Sequence, residues 1–269
     1  MDVRGSLVCI GTGMMLGAHL APRARSHVEQ ADVVFVAVSD PLVELWVQEL
    51  NADVRSLQSC YAGRSRREAY DRMVALMMAE VRAGRRVCAA FYGHPGVFAA
   101  APHEAIAQAR AEGFAAHMEP GISAEDCLYA DLGIDPGRHG CQHYEASQFM
   151  LYERRVEPSG CLVLWQVGLA GARNSGQLET SAAQRQLLVD LLLETYPPSH
   201  EVVLYEAATL PITAPRMERL PLGELAQARL GMQTTLVVPP LLPMRRRQSM
   251  WDRIAALQGA AEKEAIQAA

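Results

Sequence analysis

Phe91-Tyr92-Gly93-His94-Pro95-Gly96-Val97-Phe98 closes a strand-like run, Arg86 to Tyr92, with two glycines and a proline. In an open sheet of parallel strands, ligands bind beyond the carboxyl ends of the strands, and glycine there lets a ligand approach the backbone. On either side of this octapeptide, apolar runs alternate with helical stretches. Leu7 to Ile10 ends in Gly11-Thr12-Gly13 and leads into a helical stretch to about Gln30; Val33 to Val38 ends in Ser39-Asp40-Pro41 and precedes a helix from Leu42 to about Leu50. Arg66 to Ala83 carries Met73, Leu76, Met77 and Val81 at helical spacing and stops at Gly84. Pro102 to Gly113 is a predicted helix, Phe114 to Met118 a strand and Ser123 to Leu132 a helix. Strands separated by helices predict an α/β fold with a mostly parallel sheet covered on both faces.

The second half changes character. Gln142 to Ala146, Cys161 to Val167, Glu201 to Glu206 and Thr234 to Val238 are predicted strands, with a single helix from Ser181 to Tyr196 among them, which predicts a mixed sheet. Pro136-Gly137 marks a hinge, so the expected division is an N-terminal lobe over 1–137, a C-terminal lobe over 138–243 and a helical tail over 244–269, helical from Gln248 to about Gln267.

The 269 residues carry 25 basic and 30 acidic side chains for a net charge of −5, which argues against nucleic acid as a partner. Arg245-Arg246-Arg247, the densest basic cluster, reads as a solvated face. No run approaches the roughly 18 apolar residues of a membrane span, and the N-terminus lacks the plan of a secretory signal. The 6 cysteines form no Cys-x-x-Cys pair, and several sit in apolar strands where a thiol acts as a small hydrophobe. A reduced, cytoplasmic protein is expected.

Gly11-Thr12-Gly13 follows a strand as a dinucleotide loop does, but position 16 is Leu16 rather than the third glycine, and no Gly-Lys-Ser/Thr follows. A tight structural turn and a ligand contact both remain open there. Pro120-Gly121-Ile122-Ser123-Ala124-Glu125 ends another strand, with Ser123 set to cap the next helix, to contact a ligand, or both.

The order of Gly-x-Gly, Gly-His-Pro-Gly-Val-Phe, Pro-Gly-Ile-Ser-Ala, Trp165-Gln166-Val167-Gly168 and Tyr205-Glu206-Ala207 resembles the tetrapyrrole-methylase-like, class III S-adenosylmethionine methyltransferases over about residues 5 to 240. FYGHPGVF, PGISAED, ADLGIDP, YEASQF and LWQVG look like the borosin family, peptide backbone α-N-methyltransferases acting on a ribosomally made precursor. The resemblance implies a two-lobe fold with S-adenosylmethionine in the cleft between lobes and S-adenosylhomocysteine as product. The cofactor contacts it implies are Tyr92, Gly93, His94, Val97 and Phe98, then Ser123 and Ala124, then Gln166, and in the second lobe Tyr205, Ala207, Thr234 and Thr235. His94 stands where many tetrapyrrole methylases carry Asp, a departure that favours the peptide-modifying branch.

An amide nitrogen is a poor nucleophile because its lone pair is delocalised into the carbonyl. Methylating it requires a base for the N–H proton and a donor for the imidate oxygen. Tyrosine, with a reference pKa of about 10, becomes a usable base when a fixed cation lowers it. Tyr61, Arg66, Arg67 and Tyr70 supply that grouping, Arg66 and Tyr70 lying four apart on one helical face. The resemblance matches the Arg and Tyr of Arg66-Arg67-Glu68-Ala69-Tyr70 to the family's catalytic Arg and Tyr, and sets Cys60-Tyr61 where the family often has Phe-Tyr. Tyr70 or Tyr61 is then the base, Arg66 the cation on the amide oxygen, and Tyr92 a further donor.

His139 and His143 straddle a strand entry rather than sharing a helical face, so no metal is expected, and in-line methyl transfer requires none. Structural hydrogen-bond roles are expected of Glu145 and Glu206, and a core position of Trp165. Some members of the family it resembles carry their substrate as a C-terminal extension. Here the apolar run Val237 to Pro243 contains three prolines, which have no N–H to methylate, so a separate precursor peptide modified in trans is expected, bound by a homodimer as a hetero-oligomer. Two competing readings are a tetrapyrrole C-methyltransferase, which needs a cation-rich site, and a non-catalytic cofactor sensor or peptide-binding module, in which Tyr70→Phe has no effect.

Overall fold

The structure, a computed structural model, describes residues 5–38, 40–62, 65–172 and 180–268, so Ser39 of the Ser39-Asp40-Pro41 turn lies outside the described residues. In chain order the first half comprises β1 (Ser6–Gly11), α1 (Pro22–Gln30), β2 (Val33–Ala37), α2 (Pro41–Gln48), β3 (Val54–Ser56), α3 (Arg66–Arg82), β4 (Arg86–Phe91), α4 (Ala100–Ala111), β5 (Ala115–Glu119) and α5 (Ala124–Leu132). The second comprises α6 (Pro136–His139), β6 (Cys141–Glu145), α7 (Ala146–Leu151), β7 (Cys161–Trp165), α8 (Ala182–Leu193), β8 (Glu201–Glu206), β9 (Arg216–Pro221), β10 (Thr235–Val238) and the tail helix α9 (Gln248–Ala268).

The first sheet has the order β3-β2-β4-β1-β5 with every pairing parallel, and the second has the order β6-β7-β10-β8-β9 with only β6 and β7 parallel. The expected parallel sheet followed by a mixed one is what the chain builds. β4 is buried on both faces, as a central parallel strand must be. Val87, Ala89 and Phe91 meet Met73 and Met77 of α3 and Ala105 and Ala109 of α4, while Cys88 and Ala90 face Val28 of α1 and Val47 of α2.

Three expectations are corrected. The helix before Gln30 begins at Pro22, not just after Gly13: Gly17 takes a φ of +72°, and Pro22, which has no N–H to lose, opens the helix. β3 and β9 are added to the expected strands; both are polar edge strands without an apolar run to mark them, and β9, Arg-Met-Glu-Arg-Leu-Pro, buries only Leu220. α5 packs Leu128 against Val163, Trp165, Val203 and Tyr205 of the second sheet, so the chain joins the second core one helix before Pro136-Gly137. Asp135 caps the single turn of α6 by accepting from the Gly137 N–H at 2.8 Å. Among the described residues, no helix is long and apolar enough to cross a membrane.

Candidate active site

A cavity of about 1670 Å³ opens between the two sheets. It is lined by the loop after β4, the start of α3, the start of α5 and the carboxyl ends of β7 and β8. A backbone hydrogen bond from Leu16 N–H to Thr209 O at 2.9 Å ties the loop after β1 to the loop after β8.

Glycines at the strand ends support the cavity from beneath, with Gly93 alone of them lining it. Gly13 and Gly93 exchange two backbone hydrogen bonds, Gly93 N–H to Gly13 O at 2.9 Å and Gly13 N–H to Gly93 O at 3.2 Å. A Cβ on Gly11 would stand 2.2 Å from Gly93 O, and one on Gly121 2.4 Å from the same atom. The glycines of three strand ends therefore exist to let three backbones touch. Gly11, Thr12 and Gly13 do not line the cavity, while Gly93 does at a φ of +63°. This resolves the open reading of Gly11-Thr12-Gly13 toward a packing turn, with the Thr12 hydroxyl donating to Phe91 O at 3.1 Å.

On the wall formed by α3, Tyr61, Arg66, Tyr70 and Tyr92 come together. Ser65 caps α3 in a reciprocal box with Glu68, which starts the helix so that Arg66 lines the cavity with Tyr70 one turn on. Neighbouring Arg67 instead pairs with Asp71 at 3.0 Å and Glu104 at 2.9 Å. The rings of Tyr61 and Tyr70 meet edge to face with centroids 6.4 Å apart. Tyr61 remains 42% exposed, and partial desolvation at the cavity wall pushes its phenol up to about 12, Tyr70 and Tyr92 adding to the rise and Arg66 opposing it. Tyr92 is also raised, by burial first and then by Tyr70, again against Arg66. The Arg66 cation acts in the expected direction and desolvation outweighs it, a balance that favours the phenol, a hydrogen-bond donor, at both Tyr61 and Tyr92.

His94, Val97 and Phe98 line the same cavity, His94 Nδ1 accepting from the Gly96 N–H at 2.9 Å. Among the described residues, Phe98 and Gln166 are the non-glycine residues at positive φ, +51° and +56°, and both line the cavity. Such backbone persists only where the surroundings impose it, and it clusters at ligand sites. Phe98 leans on Trp165, centroids 5.8 Å apart. Trp165 is 6% exposed, a core residue as expected, yet it also lines the cavity, a role the sequence reading missed. Its Nε1–H donates to His143 Nδ1 at 3.2 Å; His143 Nε2 lies 2.8 Å from the Tyr129 hydroxyl, which donates to Glu125 at 2.9 Å. Glu125, beside the singled-out Ser123 and Ala124, lines the cavity as well. The signal that would have found it was its place in the same loop.

Ser123 combines both readings offered for it: its hydroxyl caps α5 in a box with Asp126, and the residue lines the cavity with Ala124. From the second sheet come Tyr205, Ala207 and Thr235. The Tyr205 hydroxyl donates to Asp131 of α5 at 2.7 Å, and burial raises its pKa well above the usual phenol range. Thr234 lies off the cavity wall; it is fully buried, accepts from the Gly231 N–H at 2.7 Å and donates to Glu206. Glu206 also accepts from Arg216 at 2.8 Å, and Glu145 caps α7 by accepting from the Gln148 N–H, both hydrogen-bond roles as expected.

Comparison with known proteins gives one consistent answer. The family described as Tetrapyrrole (Corrin/Porphyrin) Methylases matches residues 6–226. The methyltransferase/ribosomally synthesized cyclic peptide dendrothelin A precursor of Dendrothele bispora is 41% identical over 241 residues, covering 88% of this chain and 58% of that protein. The corresponding omphalotin A precursor of Omphalotus olearius is 39% identical over 259 residues, 94% of this chain and 61% of that one. The chain thus spans about three fifths of the length of these curated relatives. Among solved structures, a cobalt precorrin-4 methyltransferase superposes with a TM-score of 0.64 at 18% identity, covering 89% of this chain and 96% of that one. The uroporphyrin-III-C-methyltransferase of Thermus thermophilus gives 0.63 at 24% identity, covering 88% and 95%. At those identities the likeness is one of fold. By the extent of the family match, and by the two sheets with their intervening cavity, the chain belongs to the tetrapyrrole methylase family.

Proposed function

We propose that the chain is an S-adenosylmethionine-dependent methyltransferase that α-N-methylates backbone amides of a ribosomally made peptide supplied in trans. The observation that carries this reading is the convergence of Arg66, Tyr61, Tyr70 and Tyr92 on one wall of the cavity whose floor is the glycine loop. The names of the relatives, each joining a methyltransferase to a cyclic-peptide precursor, support a peptide substrate.

The cavity suits both molecules. A small-ligand pocket is about 300–1,000 Å³, so 1670 Å³ holds a cofactor with room for a second, longer substrate. Asp40, Glu44, Glu125 and Glu206 line it and favour a cationic cofactor, while Gly93, at positive φ, leaves space that a Cβ would take. Tyr92, Gly93, His94, Val97, Phe98, Ser123, Ala124, Gln166, Tyr205, Ala207 and Thr235 are the residues that would hold it. Bound S-adenosylmethionine supplies an electrophilic methyl group and leaves as S-adenosylhomocysteine.

The chain's own residues do the rest. The Arg66 guanidinium polarises the amide oxygen, which draws electron density from nitrogen and acidifies its N–H. Tyr61 and Tyr92, as phenols on the cavity wall, donate to the same developing oxyanion. For this step Tyr70, one turn from Arg66, would enter as the phenolate and leave as the phenol with the amide proton, while nitrogen forms its bond to the methyl carbon as the sulfonium C–S bond breaks.

A tetrapyrrole bearing several carboxylates fits less well. The wall offers Arg66 and Arg216 against four carboxylates, and Arg216 is already paired with Glu206 and Glu218. Substrate supply in trans fits the late apolar run, since Val237 and Val238 are buried in β10 between β7 and β8 and cannot reach the cavity as substrate. A homodimer is supported by the exposed Trp251, Ile254 and Leu257 of α9, an apolar stripe suited to a second copy, and a reducing cytoplasm by six unpaired cysteines.

The deciding experiment incubates the protein with S-adenosylmethionine and the short peptides encoded beside its gene, and reads intact and fragment masses. Methylene increments on backbone amides of the added peptide are expected. Increments on the enzyme's own backbone with cofactor alone would refute the trans form. Cofactor binding without transfer would favour the sensor, and visible porphyrinoid absorbance on the protein the tetrapyrrole enzyme.

A further inference from the structure

On the outer edge of the first sheet, away from the cavity, three metal-ligating side chains from two elements converge. His27 lies in the last turn of α1, and His117 and Glu119 alternate on the edge strand β5. Their ligand atoms all lie within 4.8 Å of one another, with His117 Nε2 at 3.0 Å and His27 Nε2 at 3.6 Å from Glu119 Oε1. A tetrahedral ion with ligands at about 2.0–2.1 Å separates them by roughly 3.3 Å, so a small inward shift completes the geometry. Independently, His27 Nε2 is buried and has no hydrogen-bond partner, which native structures seldom tolerate.

We propose that His27, His117 and Glu119 bind a zinc-class divalent cation. Two imidazoles and one carboxylate suit Zn²⁺ or Co²⁺ and not Mg²⁺ or Ca²⁺, which prefer all-oxygen shells. His117, 43% exposed, leaves an entry path and a fourth position for water. None of the three residues lines the cavity, and no step of the proposed reaction uses them. The ion would pin α1 to β5, the strand from which Pro120-Gly121-Ile122-Ser123 departs toward the cavity. The group that competes for Glu119 is Arg23, at 2.9 Å on a side chain 74% exposed and free to swing outward.

The test uses the full chain without cofactor, so its result is independent of the methyl-transfer reading. After chelator stripping and dialysis against Zn²⁺, one bound zinc per chain is expected, with binding weakened by at least about 100-fold in the His27→Gln/His117→Gln double variant and unchanged in His139→Gln. Arg23→Ala is expected to bind about tenfold more tightly, a gain that misfolding cannot produce. Co²⁺ should give the visible bands of a tetrahedral N/O site. Equal zinc in wild type and the double variant, no gain in Arg23→Ala, or a cobalt spectrum carrying thiolate charge-transfer bands would overturn the proposal.

Discussion

Trp165 donates its indole N–H to His143 Nδ1 across 3.2 Å, and this one bond orders everything behind it. If Nδ1 accepts, neutral His143 must carry its proton on Nε2, which then donates to the Tyr129 hydroxyl, whose own hydrogen goes to Glu125. Burial lowers the His143 pKa, against the pull of Glu125, and so favours this neutral state. The line ends at Phe98, held at left-handed φ against the Trp165 ring in the cavity wall.

His143 should therefore make the protein acid-sensitive. Its folded pKa lies below the unfolded value of about 6.5, so the unfolded chain binds more protons and stability falls as pH drops below that value. His143→Phe removes this part of the acid limb. At neutral pH the same variant should lose about 1–3 kcal/mol by leaving the Trp165 N–H without its acceptor. Urea unfolding of both proteins between pH 5 and 8 checks both outcomes.

Arg66→Met and Tyr70→Phe should each lower methyl transfer by about 10²–10⁴-fold while leaving cofactor affinity within a few-fold of wild type. Single-turnover mass analysis beside calorimetric cofactor binding separates the two effects. Transfer at the wild-type rate in Tyr70→Phe would remove Tyr70 as the base.

Because Arg66 opposes the rise of the Tyr61 phenol, Arg66→Met should move the Tyr61 titration higher still. Spectrophotometric tyrosine titration, with Tyr61→Phe to identify the transition, measures the shift.

Gly11→Ala should fail through the fold rather than through a lost ligand contact. Its Cβ would meet Gly93 O at 2.2 Å, where only backbone could yield, so a loss of about 3 kcal/mol or more is expected. The drop in melting temperature should be the same with and without S-adenosylmethionine.

Gln166→Gly should act oppositely. It relieves a left-handed backbone at a φ of +56°, which is worth about 1 kcal/mol, but deletes a side chain from the cavity wall. Unchanged or higher stability with weaker cofactor binding is the expected pair of results from thermal unfolding and calorimetry.

The sequence by itself determined the alternation of strands and helices, the parallel-then-mixed order of the sheets and the loop Phe91 to Phe98 at a strand end, because hydrophobic period, glycine and proline act over a few neighbouring residues. It also named Arg66 and Tyr70, whose spacing of four is a property of any helix. Only the tertiary structure decided that Gly11, Gly93 and Gly121 meet, since residues from three strands must touch before a missing side chain has meaning. It alone carried α5 to the second sheet, and it alone supplied the desolvation that raises the Tyr61 phenol. An arginine beside Tyr61 predicts a lowered pKa for its phenol; the desolvation that overrules it comes from the enclosing protein. The same holds for His27, unremarkable in its helix until β5 brings His117 and Glu119 against it.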